Sequence, residues 1–128
     1  MPTNALAKLL SLNSAYTAVC GLIAVAGASV LAVPFGVSEP MALPAVGVFL
    51  IVVAVAMAGA AAMVRRSIIP AVLLTVGDVG YVLASVSVVA VFPLSGLGKS
   101  VTLGVAAVVA VFVLLQGKAI RQNFSPSP

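Results

Sequence analysis

Residues 43–64 read LPAVGVFLIVVAVAMAGAAAMV, a stretch of 22 residues without a charged side chain. No polar side chain follows Pro44 within it. A helix needs about 20 mostly apolar residues to cross the hydrocarbon core of a bilayer, so the stretch predicts a transmembrane helix. The strands of a membrane barrel are shorter and alternate between apolar and polar residues, a pattern that this stretch lacks. The sequence therefore predicts an all-α membrane protein.

Three further apolar runs of similar length flank this stretch. The four predicted membrane spans cover residues 12–33, 43–64, 68–92 and 100–120. The segments between them are short, so consecutive spans are expected to run in opposite directions. The sequence thus predicts a polytopic, antiparallel bundle of four transmembrane helices that forms a single domain over residues 1–122. The last residues, 123–128, read NFSPSP and are polar and proline-rich, which predicts a disordered tail.

The composition excludes several classes of protein. Of the 128 residues, 63% are hydrophobic and 6% are charged, whereas soluble domains carry roughly 25% charged residues. The lipid bilayer is therefore the expected surroundings of the chain. Nucleic-acid binding is not expected, because the six basic residues are scattered at the ends of the spans and do not form a patch. The chain has no histidine and a single cysteine, Cys20, so neither a Cys/His metal centre nor a cofactor bound by one is predicted.

The basic residues predict the orientation of the chain in the membrane. Lysine and arginine are enriched in cytoplasmic segments. Five basic residues fall on one predicted side of the bundle: Lys8, Arg65, Arg66, Lys118 and Arg121. Lys99 and Glu39 fall on the other side. Both termini are therefore expected in the cytoplasm, and the general likeness of the chain to small bacterial membrane proteins favours the inner membrane of a bacterium.

The third span contains an acidic residue within an apolar run. Residues 74–85 read LTVGDVGYVLAS, with Asp78 in the middle. At 100° per residue, four polar side chains of this span share one side of the helix: Thr75, Asp78, Tyr81 and Ser85. Bulky apolar residues occupy the opposite side, which suits contact with lipid. The third span is therefore expected to lie with its polar stripe in the interior of the bundle.

A second polar stripe lies on the first span. It consists of Asn13, Tyr16, Thr17 and Cys20. Asp78 follows Arg66 by twelve residues, and Cys20 follows Lys8 by twelve. At 1.5 Å per residue both lie roughly 18 Å from the membrane edge, so the two stripes are expected to face each other and form a site for a ligand or a proton. Gln116 on the fourth span is expected to make an interhelical hydrogen bond, but it lies closer to its nearest lysine than Asp78 does to Arg66, so direct contact with Asp78 is not expected.

Small residues mark the expected helix-packing faces. Beside the polar stripe of the third span lies a strip of Gly77, Gly80 and Ala84. The second span carries alanines at four-residue spacing: Ala54, Ala58 and Ala62. Small residues at this spacing allow transmembrane helices to approach closely. These faces are expected to pack within the bundle, or against a second copy or another membrane protein.

Three interpretations of Asp78 remain open at this point. A charged aspartate at the centre of a bilayer costs about 2.5–3.5 kcal/mol on insertion scales, and no lysine or arginine of the chain lies at its depth. We therefore expect Asp78 to be mostly protonated and to donate a hydrogen bond to Tyr16, Thr75 or a backbone carbonyl. It can serve as a neutral packing residue, as a ligand- or proton-binding carboxyl group in a polar cavity, or as a contact to another subunit.

Two functional classes follow from these features. Catalysis is not expected, because general acid–base chemistry needs a matched pair of groups and Asp78 has no histidine or second carboxylate near it. The first class is a small membrane protein that binds or transports a small hydrophobic or cationic ligand around Asp78, in an oligomer such as a homodimer. The alternative is a non-catalytic accessory or structural subunit that associates through its Gly/Ala faces. The identity of the ligand does not follow from the sequence.

Overall fold

The computed structural model describes residues 2–124 as five helices, with no strand in that range. The helices are α1 (Pro2–Ala26), α2 (Ala28–Phe35), α3 (Ala42–Met63), α4 (Ile69–Val91) and α5 (Gly96–Phe124). Four of them are long and apolar enough to cross a membrane: Ala5–Ala26, Ala42–Met63, Ile69–Val91 and Gly96–Gln122. The all-helical prediction and the four apolar spans are thereby confirmed, and the chain is an integral membrane protein.

The first helix differs from the predicted span 12–33. It begins at Pro2 and ends at Ala26, and after Gly27 the chain continues as the short helix α2. Lys8 does not limit α1, because its side chain is exposed and a lysine stem can lie along an apolar surface while its amine reaches water. Gly27 separates the two helices, as expected for a residue that costs about 1 kcal/mol relative to alanine in a helix interior.

The last helix is longer than the predicted span 100–120. Ser95 caps its start, since the Ser95 hydroxyl accepts a hydrogen bond from the Gly98 backbone N–H at 3.0 Å. Lys99 is exposed in the first turn and does not delay the helix. At the other end, residues 123 and 124, which were predicted to belong to a disordered tail, are the last two residues of α5. The rest of that tail, 125–128, lies outside the described residues.

The α1 and α3 helices approach each other closely at two glycines. A Cβ atom built on Gly47 would lie 2.7 Å from the carbonyl oxygen of Gly21, and a Cβ on Gly21 would lie 2.8 Å from that of Gly47. Ser14 also donates a hydrogen bond of 2.7 Å to the Ala54 carbonyl oxygen. Ser14 thus contacts Ala54 and Gly21 contacts Gly47, so residue numbers on α3 fall as those on α1 rise. The two helices meet in opposite sequence order.

The buried face of α3 only partly matches the predicted alanine stripe. The residues that α3 buries are Gly47, Leu50, Ala54, Met57 and Ala60. Of the predicted packing residues only Ala54 is among them, because Ala58 and Ala62 are exposed. A strict four-residue spacing advances about 40° per step around a helix with 3.6 residues per turn, so Ala58 and Ala62 turn away from the buried side.

One end of the bundle is closed by an apolar cluster that all four long helices share. It consists of Leu6, Leu10, Ala60, Val64, Ala71 and Ala119. At the opposite end, Gly36 has a φ of 73° and ends α2, and the Ser95 N–H donates to the Phe35 carbonyl oxygen at 3.0 Å. Gly98 lies directly against the same carbonyl group. The start of α5 is therefore fixed to the end of α2.

Candidate functional site

The polar residues of three helices meet in one buried hydrogen-bonded network. Asn13 on α1 and Gln116 on α5 are fully buried, and Asp78 on α4 is 6% exposed. The Asn13 amide group donates to Asp78 Oδ2 at 2.9 Å and to Gln116 Oε1 at 2.8 Å. Gln116 Nε2 in turn donates to Thr75 Oγ1 at 2.9 Å. Because Thr75 and Asp78 lie one turn apart on α4, these three hydrogen bonds and that turn of α4 together form a closed ring that joins α1, α4 and α5.

The polar groups at both ends of the network have hydrogen-bond partners. The Thr17 hydroxyl donates to Asn13 Oδ1 at 3.2 Å, and the Thr75 hydroxyl donates to the Ala71 carbonyl oxygen at 2.8 Å. Across the described residues, no buried side-chain nitrogen or oxygen lacks a hydrogen-bond partner. Since an unpaired polar group in hydrocarbon costs several kcal/mol, this pairing is what allows five polar side chains to lie inside an apolar bundle.

The partner of Asp78 is not one that the sequence predicted. Tyr16 donates to the Val105 carbonyl oxygen at 3.4 Å, and its ring packs on that of Phe112 with the ring centres 6.1 Å apart. Thr75 bonds to the backbone of its own helix. The hydrogen-bond partner of Asp78 is instead Asn13, which donates to the carboxyl group.

Gln116 makes the expected interhelical hydrogen bonds, but it was not among the predicted site residues. It does not bond directly to Asp78, in agreement with expectation, but both bind the same Asn13 amide group. Its depth was underestimated from Lys118, because α5 continues to Phe124 and an exposed lysine does not mark the end of a helix. A signal was present in the sequence: two amide side chains in apolar spans need partners, and each is the other's most suitable one.

The apolar cluster lies directly beside the network on three helices. Leu10 precedes Asn13 by three residues, Ala71 precedes Thr75 by four, and Ala119 follows Gln116 by three. All three cluster residues are buried, with exposures between 0% and 4%. The cluster therefore separates the network from water at the end of the bundle that carries Arg65 and Arg66.

On its other side the network borders a cavity of about 330 Å³. Five of the predicted site residues lie on its wall: Tyr16, Thr17, Cys20, Asp78 and Tyr81. Apolar side chains of α3 and α5 make up most of the remaining wall. Of the other predicted site residues, Asn13 and Thr75 lie behind Asp78 in the network, and Ser85 is buried further along the same face of α4 without lining the cavity. Thr17 and Asp78 belong to both the network and the cavity wall.

The cavity opens sideways between α3 and α4. Phe49 on one lip is 59% exposed, and Gly77, Gly80 and Ala84 on the other lip are exposed as well. No atom lies within 4 Å of a Cβ built on Gly77 or Gly80. These glycines therefore do not bring α4 close to another helix of the described chain, contrary to the expectation of packing within the bundle. They form the mouth of the cavity, and their packing against a second copy stays a prediction.

The opposite side of α4 has the exposure expected of a lipid-facing surface. Val76, Val79, Leu83 and Val86 are between 43% and 64% exposed. The five basic residues predicted to set the topology are exposed too. Since the buried residues of α4 are Ala71, Thr75, Asp78 and Ser85, the helix presents its polar stripe inward.

The site does not resemble a metal centre. Within residues 2–124, no three side chains of the kinds that commonly bind metal ions come together. Comparison of the chain with models of known protein families, with curated proteins and with solved structures gave no match. The functional interpretation therefore depends on the geometry around Asp78.

Proposed function

We propose that the protein binds a small hydrophobic or cationic ligand at Asp78 within the membrane, and that it transports that ligand. The observation that carries this proposal is the position of Asp78 between the network and the cavity. The Asn13 amide donates a hydrogen bond to Asp78 Oδ2, and the Asp78 side chain also lines a cavity of about 330 Å³. A carboxyl group that served packing alone would not need a cavity beside it. Ionisable residues inside a membrane are functional by default.

The arrangement in the membrane is part of the proposal. The chain forms an antiparallel four-helix bundle, a single domain over residues 1–122, with both termini in the cytoplasm of a bacterium and the bundle in its inner membrane. The opposite sequence order of the α1 and α3 contacts, the short connections and the position of the basic residues support this topology. A homodimer is favoured for transport, because one bundle of four helices encloses little volume. No catalytic activity is proposed.

The proposed topology predicts the accessibility of one loop. In a Cys20→Ala background, Ser38→Cys is expected to react with a membrane-impermeant maleimide added outside intact bacterial cells, because Ser38 is exposed in the connection between α2 and α3. Green fluorescent protein fused to the C-terminus is expected to fluoresce, and alkaline phosphatase fused there to be inactive. Active phosphatase combined with an unreactive Ser38→Cys would show that the orientation in the membrane is the reverse of the proposed one.

The charge at Asp78 predicts a specific loss of cation binding. Asp78→Asn keeps an acceptor oxygen for Asn13 and removes the negative charge, so the fold is expected to survive. The trimethylammonium group has no N–H to donate, so its attraction to Asp78 is coulombic, and loss of the carboxylate charge is expected to lower the affinity for phenylpropyl trimethylammonium roughly 10- to 100-fold. Its neutral analogue, with a tert-butyl group in place of the trimethylammonium group, is expected to bind both proteins equally. Equilibrium dialysis of protein in nanodiscs measures both affinities.

Glu39→Gln is the matched control for this experiment. Glu39 is the only other carboxylate side chain in the sequence, and it is exposed in the connection between α2 and α3. The substitution Glu39→Gln is expected to leave the affinities for the cation and for its neutral analogue unchanged. Equal cation binding by wild type and Asp78→Asn would show that the Asp78 carboxyl group takes no part in binding the cation. A second measurement follows the Asp78 carboxyl C=O infrared band, which is expected to shift when the cation is added.

One observation favours the alternative, an accessory or structural subunit. Gly77 and Gly80 are exposed on α4 and have no neighbour within 4 Å of their Cβ positions, as expected of a face that a partner helix covers. Under this alternative the Asp78 band stays at its protonated position from pH 4 to 10 in pure lipid and does not respond to the cation. A copurified membrane protein that is lost in Gly80→Leu would then identify the partner.

A further inference from the structure

We infer that the ligand is a small amphiphilic monocation that enters from the bilayer through the lateral opening between α3 and α4. The inference rests on the proposed function of Asp78 and adds to it a route and a chemical class. The opening is bordered by Phe49 on α3 and by Gly77, Gly80 and Ala84 on α4. Each of these residues is exposed on a part of the chain that lies within a membrane span.

Two other routes to Asp78 are closed. At the end with Arg65 and Arg66, the apolar cluster of Leu6, Leu10, Val64 and their neighbours separates the network from water. Between α1 and α3, the backbones touch at Gly21 and Gly47, so no gap exists on that side. At Gly77 and Gly80, which border the cavity between α3 and α4, a built Cβ meets no atom, and an uncovered side of a bundle faces lipid in the membrane. A molecule dissolved in the bilayer therefore reaches the cavity without crossing water.

The charge of the site selects a monocation. Asp78 is the only acidic residue within the described spans, and all six basic residues are exposed. A charge buried in low dielectric must be paired, since an uncompensated ion is strongly destabilising. Asp78 is expected to be protonated in the empty site, so a cation that binds displaces this proton and forms a neutral pair with the carboxylate. A second positive charge would stay unpaired, and an anion would have no positive partner.

The shape and composition of the cavity restrict the rest of the ligand. Its volume of about 330 Å³ lies near the lower limit of ligand sites, which measure about 300–1,000 Å³. Most of the wall is apolar, and the rings of Tyr16 and Tyr81 lie on the same wall as Asp78. Aromatic rings attract cations, and quaternary ammonium groups in particular. The ligand is thus a compact amphiphile with its cationic group at Asp78 and its apolar body towards Phe49.

The test narrows the opening without touching Asp78. Gly80→Leu places a side chain in the mouth of the cavity, where its Cβ has no neighbour within 4 Å, so the fold is expected to be kept. Gly104→Leu is the matched control, because Gly104 on α5 is equally open but does not line the cavity. The rate at which phenylpropyl trimethylammonium associates with protein in nanodiscs is expected to fall roughly tenfold in Gly80→Leu and to stay within about twofold in Gly104→Leu.

The outcomes separate the route from the site. If the cation associates with Gly80→Leu at the wild-type rate while Asp78→Asn does not bind it, the lateral route is overturned and the proposed function stands. If Gly80→Leu and wild type differ as expected but Asp78→Asn binds normally, the cation preference and the proposed function are both overturned. Absence of cation binding by the wild-type protein overturns both proposals, and equal loss in Gly80→Leu and Gly104→Leu overturns the route.

A second arm identifies the source of the ligand. The protein is reconstituted in vesicles of differing cholesterol content, so that the mole fraction of the cation in the bilayer differs at one fixed free aqueous concentration. Entry from the bilayer predicts that the rate of association rises with that mole fraction. A rate set by the free aqueous concentration alone would show entry from water and overturn the inference.

Discussion

Gly47→Ala is expected to lower the free energy of unfolding by about 2–4 kcal/mol, since overpacking costs typically 1–3 kcal/mol and more where backbone must move. The added Cβ would lie 2.7 Å from the Gly21 carbonyl oxygen and 2.9 Å from the Val25 backbone nitrogen. Both atoms belong to the backbone of α1, so no rotamer change relieves the contact. The two helices must separate, and the Ser14 bond to α3 weakens with them.

Gly59→Ala is the matched control on the same helix. A Cβ on Gly59 meets no atom within 4 Å, and alanine is favoured over glycine in a helix by up to about 1 kcal/mol. This variant is therefore expected to be neutral or slightly more stable. Reversible unfolding in mixed micelles, followed by energy transfer between dyes on the two termini, measures both free energies. An equal loss in both variants would show that the α1–α3 contact is not as close as described.

Asn13→Leu is the second change with a large expected effect. It removes three hydrogen bonds, to Asp78, Gln116 and Thr17. Hydrogen bonds between membrane helices contribute about 0.6 kcal/mol on average and at most about 1.7, so a loss of about 2–3 kcal/mol is expected. The loss exceeds the simple average because the Asp78 carboxyl group and the Gln116 oxygen lose their shared donor while they remain buried.

Ser14→Ala provides the control for this change. Ser14 is the next residue on α1 and makes one hydrogen bond, to the Ala54 carbonyl oxygen, so a loss of about 0.6 kcal/mol is expected. The double variant Asn13→Leu/Gln116→Leu tests the ring itself. Because the two residues share a hydrogen bond, their combined cost is expected to be smaller than the sum of the single costs. Additive costs would mean that the two amides act independently.

Under the proposed function, Asn13 takes part in ligand binding as well as in stability. By donating to Oδ2, Asn13 holds the side chain of Asp78, which lines the cavity. The ring extends this control to α5 through Gln116. A ligand that draws Asp78 away from Asn13 would loosen the contact of α1 with α4, which is one way for binding to be coupled to helix movement in transport.

The sequence by itself determined the class of structure and its inward face. Apolar runs long enough to span a bilayer leave only helices as a solution, since backbone groups in lipid must be paired within the segment. The spans at 43–64 and 68–92 agree with α3 and α4 to within one residue at each end. The polar stripe with Thr75, Asp78 and Ser85 is buried as predicted, because the helical period fixes which residues share a side.

Only the tertiary structure decided which polar groups meet. Asn13 is 65 residues from Asp78 and 103 from Gln116, and no local rule connects positions so far apart. Counting residues from the nearest lysine placed Gln116 too shallow, because long basic side chains reach water from well inside a span. The sequence also did not distinguish the glycines that pack against another helix from those that do not. Gly47 and Gly80 look alike in the sequence, yet one lies against another backbone and the other borders an open cavity, because contact depends on the position of the facing helix.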